Sequence, residues 1–593
     1  MGSKKVDASI TVESANTSVT STRARLWKRL EEQWNKIQVG HQGAYSVERL
    51  ESFDYYCKTT SRTRVILVCL LTPVPALSTA IALECLPLQS PSGGWTANWV
   101  FWIRLTLTTC IMGISTLASL VTLVPDINPT FLKRQLVAWG MSAAYVTTAL
   151  IAAISIGFPI PLMWYIGGFP AGIQAQVMMF LVFGRKPFLR TSPCRPNLLR
   201  FARYLGSFMM LASIYPLYKV LYGFVPVQYR GIVVVLVLPI WRLSAKQFMV
   251  QFSREFEDFM PGVIATSVDF FSALFVSVCM STSQSLYLSM LFIAADIGES
   301  LLEFWDMRIN ANTVLKLLHD RHASTERFKA KDKPFSAYSN TSLVELILAV
   351  TRDPHAFHIT AFKGVRLRAC YPHQMSAEQV RTLHVLNGSG IYGCTTSSLG
   401  IQPHQSTLSR KIHVATSNLV VTSTPEVDTT IQTKDEKQDD DASNNTRKHY
   451  RAIAARSESL VQQGLQLLFH CEYLVLVEYV ECVVPLVFLT YKTVLKNLPN
   501  AVYYPAGTDQ WGDGTVVNIL VFASLEIVSL LLVHFSLKIK FSFSPLYQLA
   551  FVLETEVYLV QHKLFIGTLF LLQYELEHLG ADFTFQFKWL HDS

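Results

Sequence analysis

The composition of this 593-residue chain excludes an ordinary soluble protein. Half of its residues are hydrophobic and 16% are charged, against about 25% in soluble domains. So few charges cannot coat a water-facing surface. The formal net charge of +8 is modest, and Lys and Arg flank apolar blocks rather than forming one basic patch, so the sequence predicts no nucleic-acid partner. It predicts an all-α, polytopic membrane protein with the lipid bilayer as its main partner.

The N-terminal segment, residues 1–63, is polar and basic, and it lacks the short apolar core of a cleavable signal peptide. Within it, residues 22–38 place Leu26, Leu30 and Trp34 at helical spacing after a basic start, which predicts an amphipathic helix. Such a helix lies either on an anionic membrane surface or on the protein's own cytoplasmic face, and the pattern leaves both open.

A first membrane region of about eight helices is predicted for residues 64–305. A bilayer core of about 30 Å requires roughly 20 apolar residues in helix, and most of the apolar blocks approach that length. The sixth block is shorter, and it is predicted to be either a true crossing or a half-helix. The blocks cover residues 65–86, 99–124, 136–158, 161–183, 201–218, 231–241, 260–280 and 286–305.

A polar region, residues 306–456, separates these blocks from a second membrane region, residues 457–593. Its stretch 395–449 is rich in Ser, Thr, Gln and Asp, a composition that cannot bury a core and predicts disorder. The final apolar stretch is interrupted by charges, so it either spans, lies at the interface or folds back. The apolar segments of the second region are 473–491, 516–537 and 545–572. The predicted total is ten or eleven membrane helices.

Charges beside the blocks predict the orientation in the membrane. Basic residues precede the first block and follow the second, fourth, sixth and tenth, and Arg242 and Lys246 belong to the flank after the sixth. The connections after the first, third and seventh blocks have no Lys or Arg. This alternation predicts that the N-terminus and the polar loop are cytoplasmic. It does not distinguish the plasma membrane from endomembranes.

Acidic residues within or beside the apolar blocks are the candidate functional residues. A charged side chain in mid-bilayer costs about 2.5–3.5 kcal/mol, so such residues face the bundle interior, pair or stay protonated. Two pairs of them are spaced three residues apart, which places each pair on one helix face. The candidates for an intramembrane ion or proton path are Asp269, Asp296, Glu299, Glu478, Glu481 and Glu526.

A purely structural role for these carboxylates is the alternative. In that interpretation Glu303 lies at the cytoplasmic interface, and the other carboxylates pair with residues such as Arg104 or His534.

No motif predicts catalysis, a bound metal or a cofactor. His355 and His358 can face one side of a turn, but nothing nearby in the sequence completes a metal site. The chain has no Walker A loop, no GxSxG, no HExxH and no kinase signature, and its ten cysteines form no CxxC. The sequence therefore predicts no metal ligand, no cofactor and no catalytic residue.

Two late segments resemble each other. Val268–Asp296 and Leu525–Glu556 align their acidic ends and a Leu-Tyr pair between them, with one gap. If the block count holds, the two copies run in opposite directions. Inverted repeats are common in secondary transporters, where the binding site lies near their interface.

Several stretches carry a family resemblance. They are FDYYCKTTSRTRVILVCLLTPVPAL after Tyr45–Leu50, LPIWRLSAKQFMVQFSREFEDFMP at 238–261, EYLVLVEYVECVVPLVFLTYKTVLKNLPNAVYYP at 472–505, YQLAFVLE at 547–554 and FQFKWL at 585–590. Together they resemble a large family of multi-pass membrane proteins of oomycetes. The resemblance covers both membrane regions and not the variable loop. It implies a membrane protein, and it implies no activity and no binding residue.

Two classes of function follow from these features. The acidic residues and the weak repeat favour a transporter or channel for a small solute or cation. The alternative is a receptor or scaffold, in which the helices hold the basic N-terminus and the polar loop near the membrane.

Overall fold

The computed structural model describes residues 38–283, 286–327, 343–371, 373–392, 436–504, 512–583 and 587. Within these ranges the chain forms helices and no strand, which confirms the predicted all-α class. Almost all of the predicted amphipathic helix, residues 22–37, lies outside the described residues, as do residues 395–435 of the segment predicted to be disordered. Residues 436–449 of that segment lie in a helix.

The main helices are numbered here in chain order, leaving out those of six residues or fewer. They are α1 (Val47–Thr59), α2 (Arg62–Leu71), α3 (Val74–Glu84), α4 (Trp99–Leu123), α5 (Phe131–Ile156), α6 (Met163–Phe183), α7 (Cys194–Phe224), α8 (Leu238–Ser253), α9 (Phe270–Ser283), α10 (Leu286–Arg327), α11 (Leu343–Arg352), α12 (Ala377–Gly388), α13 (Glu436–Lys496), α14 (Asp513–Phe541), α15 (Pro545–Thr555) and α16 (Val557–Ile566).

Seven helical segments of the described chain are long and apolar enough to cross a membrane. Their outward faces carry large apolar side chains: Phe169 is 79% exposed and Leu181 is 67% exposed. An apolar surface of this extent suits lipid rather than water. The protein is therefore a multi-pass integral membrane protein. The segments are Arg62–Glu84, Trp99–Leu123, Phe131–Ile156, Met163–Phe183, Gln228–Ser281, Tyr450–Lys496 and Gly514–Phe541.

Two of these segments form the centre of the bundle. In the most apolar stretch of Gln228–Ser281, 94% of the residues are buried, and the figure for Tyr450–Lys496 is 83%. It is 0% for the most apolar stretch of Met163–Phe183, which therefore lies on the outside of the bundle. A polar group on a central segment can find protein partners instead of hydrocarbon, so this is where charges can be accommodated.

The long central segment Gln228–Ser281 is a hairpin. A straight helix of its 54 residues would be about 80 Å long, far more than a bilayer core of about 30 Å. The chain turns at the 3₁₀ segment Arg254–Phe259, where Glu257 has φ 38° and breaks the helix. Lys246 on the first arm then lies 3.2 Å from Asp269 on the second arm, measured from Nζ to Oδ1. The sixth and seventh predicted blocks are these two arms.

Seven segments, one of them a hairpin with two arms, meet the length and apolarity of a membrane span, against the predicted ten or eleven membrane helices. The fifth and eighth blocks lie within α7 and α10, which are long helices but less apolar than the seven segments. The final stretch is broken at Glu556 into α15 and the shorter apolar helix Val557–Leu571. Helix α10 also continues past the predicted loop boundary at Asp306 and ends at Arg327.

Part of the polar region folds back on the N-terminal segment. The guanidinium of Arg352, at the end of α11, lies 2.5 Å from the carboxylate of Glu51 on α1. Arg366 pairs with Asp258 at 3.0 Å, and its carbonyl accepts a hydrogen bond from the Val47 amide at 2.9 Å. These contacts place residues 343–371 beside the helical bundle at the end that carries α1.

Candidate functional site

A buried arginine gathers carboxylates from two helices, α10 and α13. Arg242 lies on α8, its side chain is 5% exposed, and its Nη1 donates to Asp296 Oδ1 at 3.0 Å. The same nitrogen donates to Glu299, and Nη2 donates to Glu481 on α13. Because a guanidinium offers five N–H groups in a planar fork, one arginine can hold several acceptors. Arg242 is thus the centre of the charged site.

Lys246, one helical turn after Arg242, holds the neighbouring part of the site. Its Nζ lies 3.2 Å from Asp269 Oδ1 and donates to Glu303 Oε1 at 2.7 Å. Tyr473 on α13 donates its hydroxyl to the other oxygen of Asp269 at 3.3 Å. The two cations therefore link the hairpin to α10 and α13.

Three carboxyl groups crowd together on the far side of Arg242. One oxygen from each of Asp296, Glu481 and Glu526 lies within 4.8 Å of the other two, and all three residues are buried. One carboxyl oxygen of each residue has no hydrogen-bond partner in the described chain: Asp296 Oδ2, Glu481 Oε2 and Glu526 Oε2. Glu478 lies one turn before Glu481 on α13 and is also buried. Oxygen clusters of this kind hold protons or hard cations.

The charges of the site do not balance. Seven carboxyl groups and two cations share it, so full ionisation would leave a net charge of minus five. Such a charge is prohibitive in a low-dielectric interior, where like-charged neighbours share protons instead. The carboxyl groups of the site are Asp269, Asp296, Glu299, Glu303, Glu478, Glu481 and Glu526. Several of them must therefore be protonated or neutralised by a bound cation.

A small cavity borders the side chain of Arg242. It lies between α7, α8 and the second arm of the hairpin and has room for about one or two water molecules. Four of its lining polar atoms have no hydrogen-bond partner in the described chain: Arg242 Nε and the hydroxyls of Tyr215, Tyr218 and Ser272. Buried polar groups are normally satisfied, so water is the expected occupant.

The structure brings all six predicted acidic residues into this one site, on the hairpin, α10, α13 and α14. The expected partners were wrong. Arg104 instead pairs with Glu84, with Nη1–Oε2 2.9 Å, and His534 Nδ1 has no hydrogen-bond partner among the described residues. From the sequence, Arg242 and Lys246 are expected in the basic flank after the sixth apolar block, and not within the bundle. A signal was present in their spacing, since two cations four residues apart lie on one face of a helix.

A second buried network ties the N-terminal segment to the bundle. Arg49 is fully buried, and its Nη2 lies 2.7 Å from Glu472 Oε1 and 3.0 Å from Glu556 Oε1. Tyr45 donates to Glu472 and accepts from Gln548 at 2.7 Å. Burial lowers the pKa of Arg49, but the charges of Glu472 and Glu556 outweigh burial and raise it well above its ordinary value. This network is structural.

Comparison of the chain with known protein families, with curated proteins and with solved structures finds no match. The fold and the site alone therefore define the class: a multi-pass helical membrane protein whose central helices enclose a cluster of charged residues.

Proposed function

We propose that the protein is a proton-linked membrane transporter for a small solute or ion. The observation that carries this proposal is the excess of buried carboxyl groups over cations around Arg242. A structural ion pair needs only one partner for each charge, so structural pairing does not account for the surplus carboxyl groups. Carboxyl groups that share protons in a membrane interior are typical of proton and ion pathways.

Arg242 supplies the switch for proton-linked transport. It holds Asp296, Glu299 and Glu481 when they are ionised. Protonation of one of them removes its charge and weakens that bond, so the guanidinium shifts its remaining bonds to the others. The hairpin arm that carries Arg242 also meets the cavity, so movement of this side chain links the carboxylates to water.

The test is transport by the purified protein in liposomes, measured as current on a solid-supported membrane. A pH gradient is applied with and without a panel of amino acids, sugars, organic acids and metal cations. The expected result is a current that depends on the gradient with at least one solute. In the paired variant, which carries both Glu481→Gln and Glu526→Gln, this current should fall about tenfold or more, because two of the proton-sharing carboxyl groups are gone.

Glu378→Gln is the matched control, since it removes an exposed carboxylate from α12. It should transport as the wild type does. Gel filtration and the helical circular dichroism signal establish that all variants fold. The proposal is wrong if the paired variant keeps the wild-type current, or if no solute and no gradient produces one.

A further inference from the structure

Three residues that lie far apart in the sequence meet beside the N-terminal segment. His41 ends the 3₁₀ turn Val39–His41, Asp306 lies on α10, and His470 lies on α13. His41 Nε2 is 3.1 Å from Asp306 Oδ2, and His470 Nε2 is 3.9 Å from the same oxygen. One ligand atom from each residue lies within 4.8 Å of the other two.

These separations approach those of a coordinated metal. With bonds of about 2.0–2.1 Å, two ligands of a tetrahedral zinc ion are about 3.3 Å apart. The distances from Asp306 Oδ2 to the two histidines lie on either side of that value, so shifts of a few tenths of an ångström suffice there. Two imidazoles and one carboxylate are a donor set that zinc and related divalent metals accept, and a fourth position stays open for water.

Amide side chains surround the two rings as outer partners. Asn310, one turn after Asp306, lies 3.1 Å from His470 Nδ1 and 3.3 Å from His41 Nε2, and Gln466, one turn before His470, lies 3.4 Å from His41 Nδ1. Amide nitrogen and oxygen are exchangeable by rotation, so Asn310 can accept the Nδ1 proton of His470 and Gln466 that of His41. A bound metal would take the place of the contact between Asn310 and His41 Nε2. Hydrogen bonds of this kind fix the ring orientation of ligating histidines.

The backbone of the 3₁₀ turn lies directly against the ring of His470. A side chain at Gly40 would overlap the His470 ring, so the glycine allows the 3₁₀ turn to lie directly against it. The three candidate ligands are mostly buried, with side-chain exposures of 14%, 10% and 4% for His41, Asp306 and His470. They stay within reach of solvent through His41.

We propose that His41, Asp306 and His470 form a binding site for a divalent transition metal, with Zn²⁺ as the representative ion. The ion would join the N-terminal segment to α10 and α13. The site shares no residue with the carboxylate cluster around Arg242, so the inference stands apart from the transport proposal. Sequence motifs could not reveal it, because His41 and Asp306 are 265 positions apart.

The experiment is equilibrium dialysis of the full chain in detergent against Zn²⁺, with bound metal measured by elemental analysis. The protein is purified with a tag that contains no histidine and is first treated with a chelator. The wild type should bind one Zn²⁺ per chain at this site. His470→Ala and Asp306→Asn should each weaken that binding by about tenfold or more, as even outer-shell changes do at metal sites.

His355→Ala is the matched control, because His355 is an exposed histidine outside the cluster, and it should bind Zn²⁺ as the wild type does. Asp306→Asn keeps nearly the same shape and is expected to fold, so it decides the test if His470→Ala does not. A second readout is the visible absorption of Co²⁺ in the zinc site. Equal Zn²⁺ binding by wild type and Asp306→Asn, or none by the wild type, overturns the proposal.

Discussion

Two buried arginines of this protein have different carboxylate surroundings. Arg49 and Arg242 are both enclosed, but their surroundings differ: Arg49 holds two carboxylates, whereas Arg242 holds four within 4.0 Å. Removing one partner of a buried charge cluster leaves the others without compensation, which costs more than the pairs themselves contribute. A substitution of Arg49 therefore tests directly how much a buried ion-pair network contributes to the stability of the fold.

We expect Arg49→Met to destabilise the protein by about 3–5 kcal/mol, because Glu472 and Glu556 lose their shared cation. The measurement is thermal unfolding in detergent. Arg64→Met is the control, since Arg64 pairs with Glu554 while its own side chain is 63% exposed, and such surface pairs contribute at most about 1 kcal/mol. Equal losses of stability in the two variants would contradict the structural role assigned to Arg49.

At the scale of elements, apolar length predicted most helices, and charge marked where they end. The blocks at 99–124 and 136–158 correspond closely to α4 and α5. The two arms of the hairpin correspond to the sixth and seventh blocks, but apolar length does not reveal that the first arm continues as helix to Ser253 and carries Arg242 and Lys246 into the bundle. Packing of α8 against α10 and α13 gives Arg242 and Lys246 partners that a charge count along the chain cannot supply.

Helix α11 packs closely against α13 at Gly464. Gly464 on α13 faces Ile347 of α11, and a Cβ at this position would lie 2.5 Å from Ile347 Cδ1. Gly464→Val should therefore lower the free energy of unfolding by about 1–3 kcal/mol through overpacking. Gly298→Val on α10 meets open space and should change it by less than about 1 kcal/mol. Thermal unfolding of both variants tests this, and a harmless Gly464→Val would show that α11 does not pack there.

For the whole molecule, the sequence predicted the class and the acidic residues but not their arrangement. Hydropathy depends on local composition, so it finds membrane helices without knowing their neighbours. The convergence of Asp269, Asp296, Glu481 and Glu526 depends on contacts more than two hundred residues apart in some cases. The orientation in the membrane, the oomycete family resemblance, the inverted repeat and the scaffold alternative stay predictions.

The protonation of the cluster is the central claim, and infrared difference spectroscopy measures it most directly. A protonated carboxyl group has a C=O stretch that the carboxylate lacks, and the band shifts on exchange into heavy water. At neutral pH the wild type should show such a band, and Glu481→Gln with Glu526→Gln should lose part of it. If the band is absent from the wild type, or unchanged in the variant, the cluster does not share protons at neutral pH, and the proposed proton-linked function is contradicted.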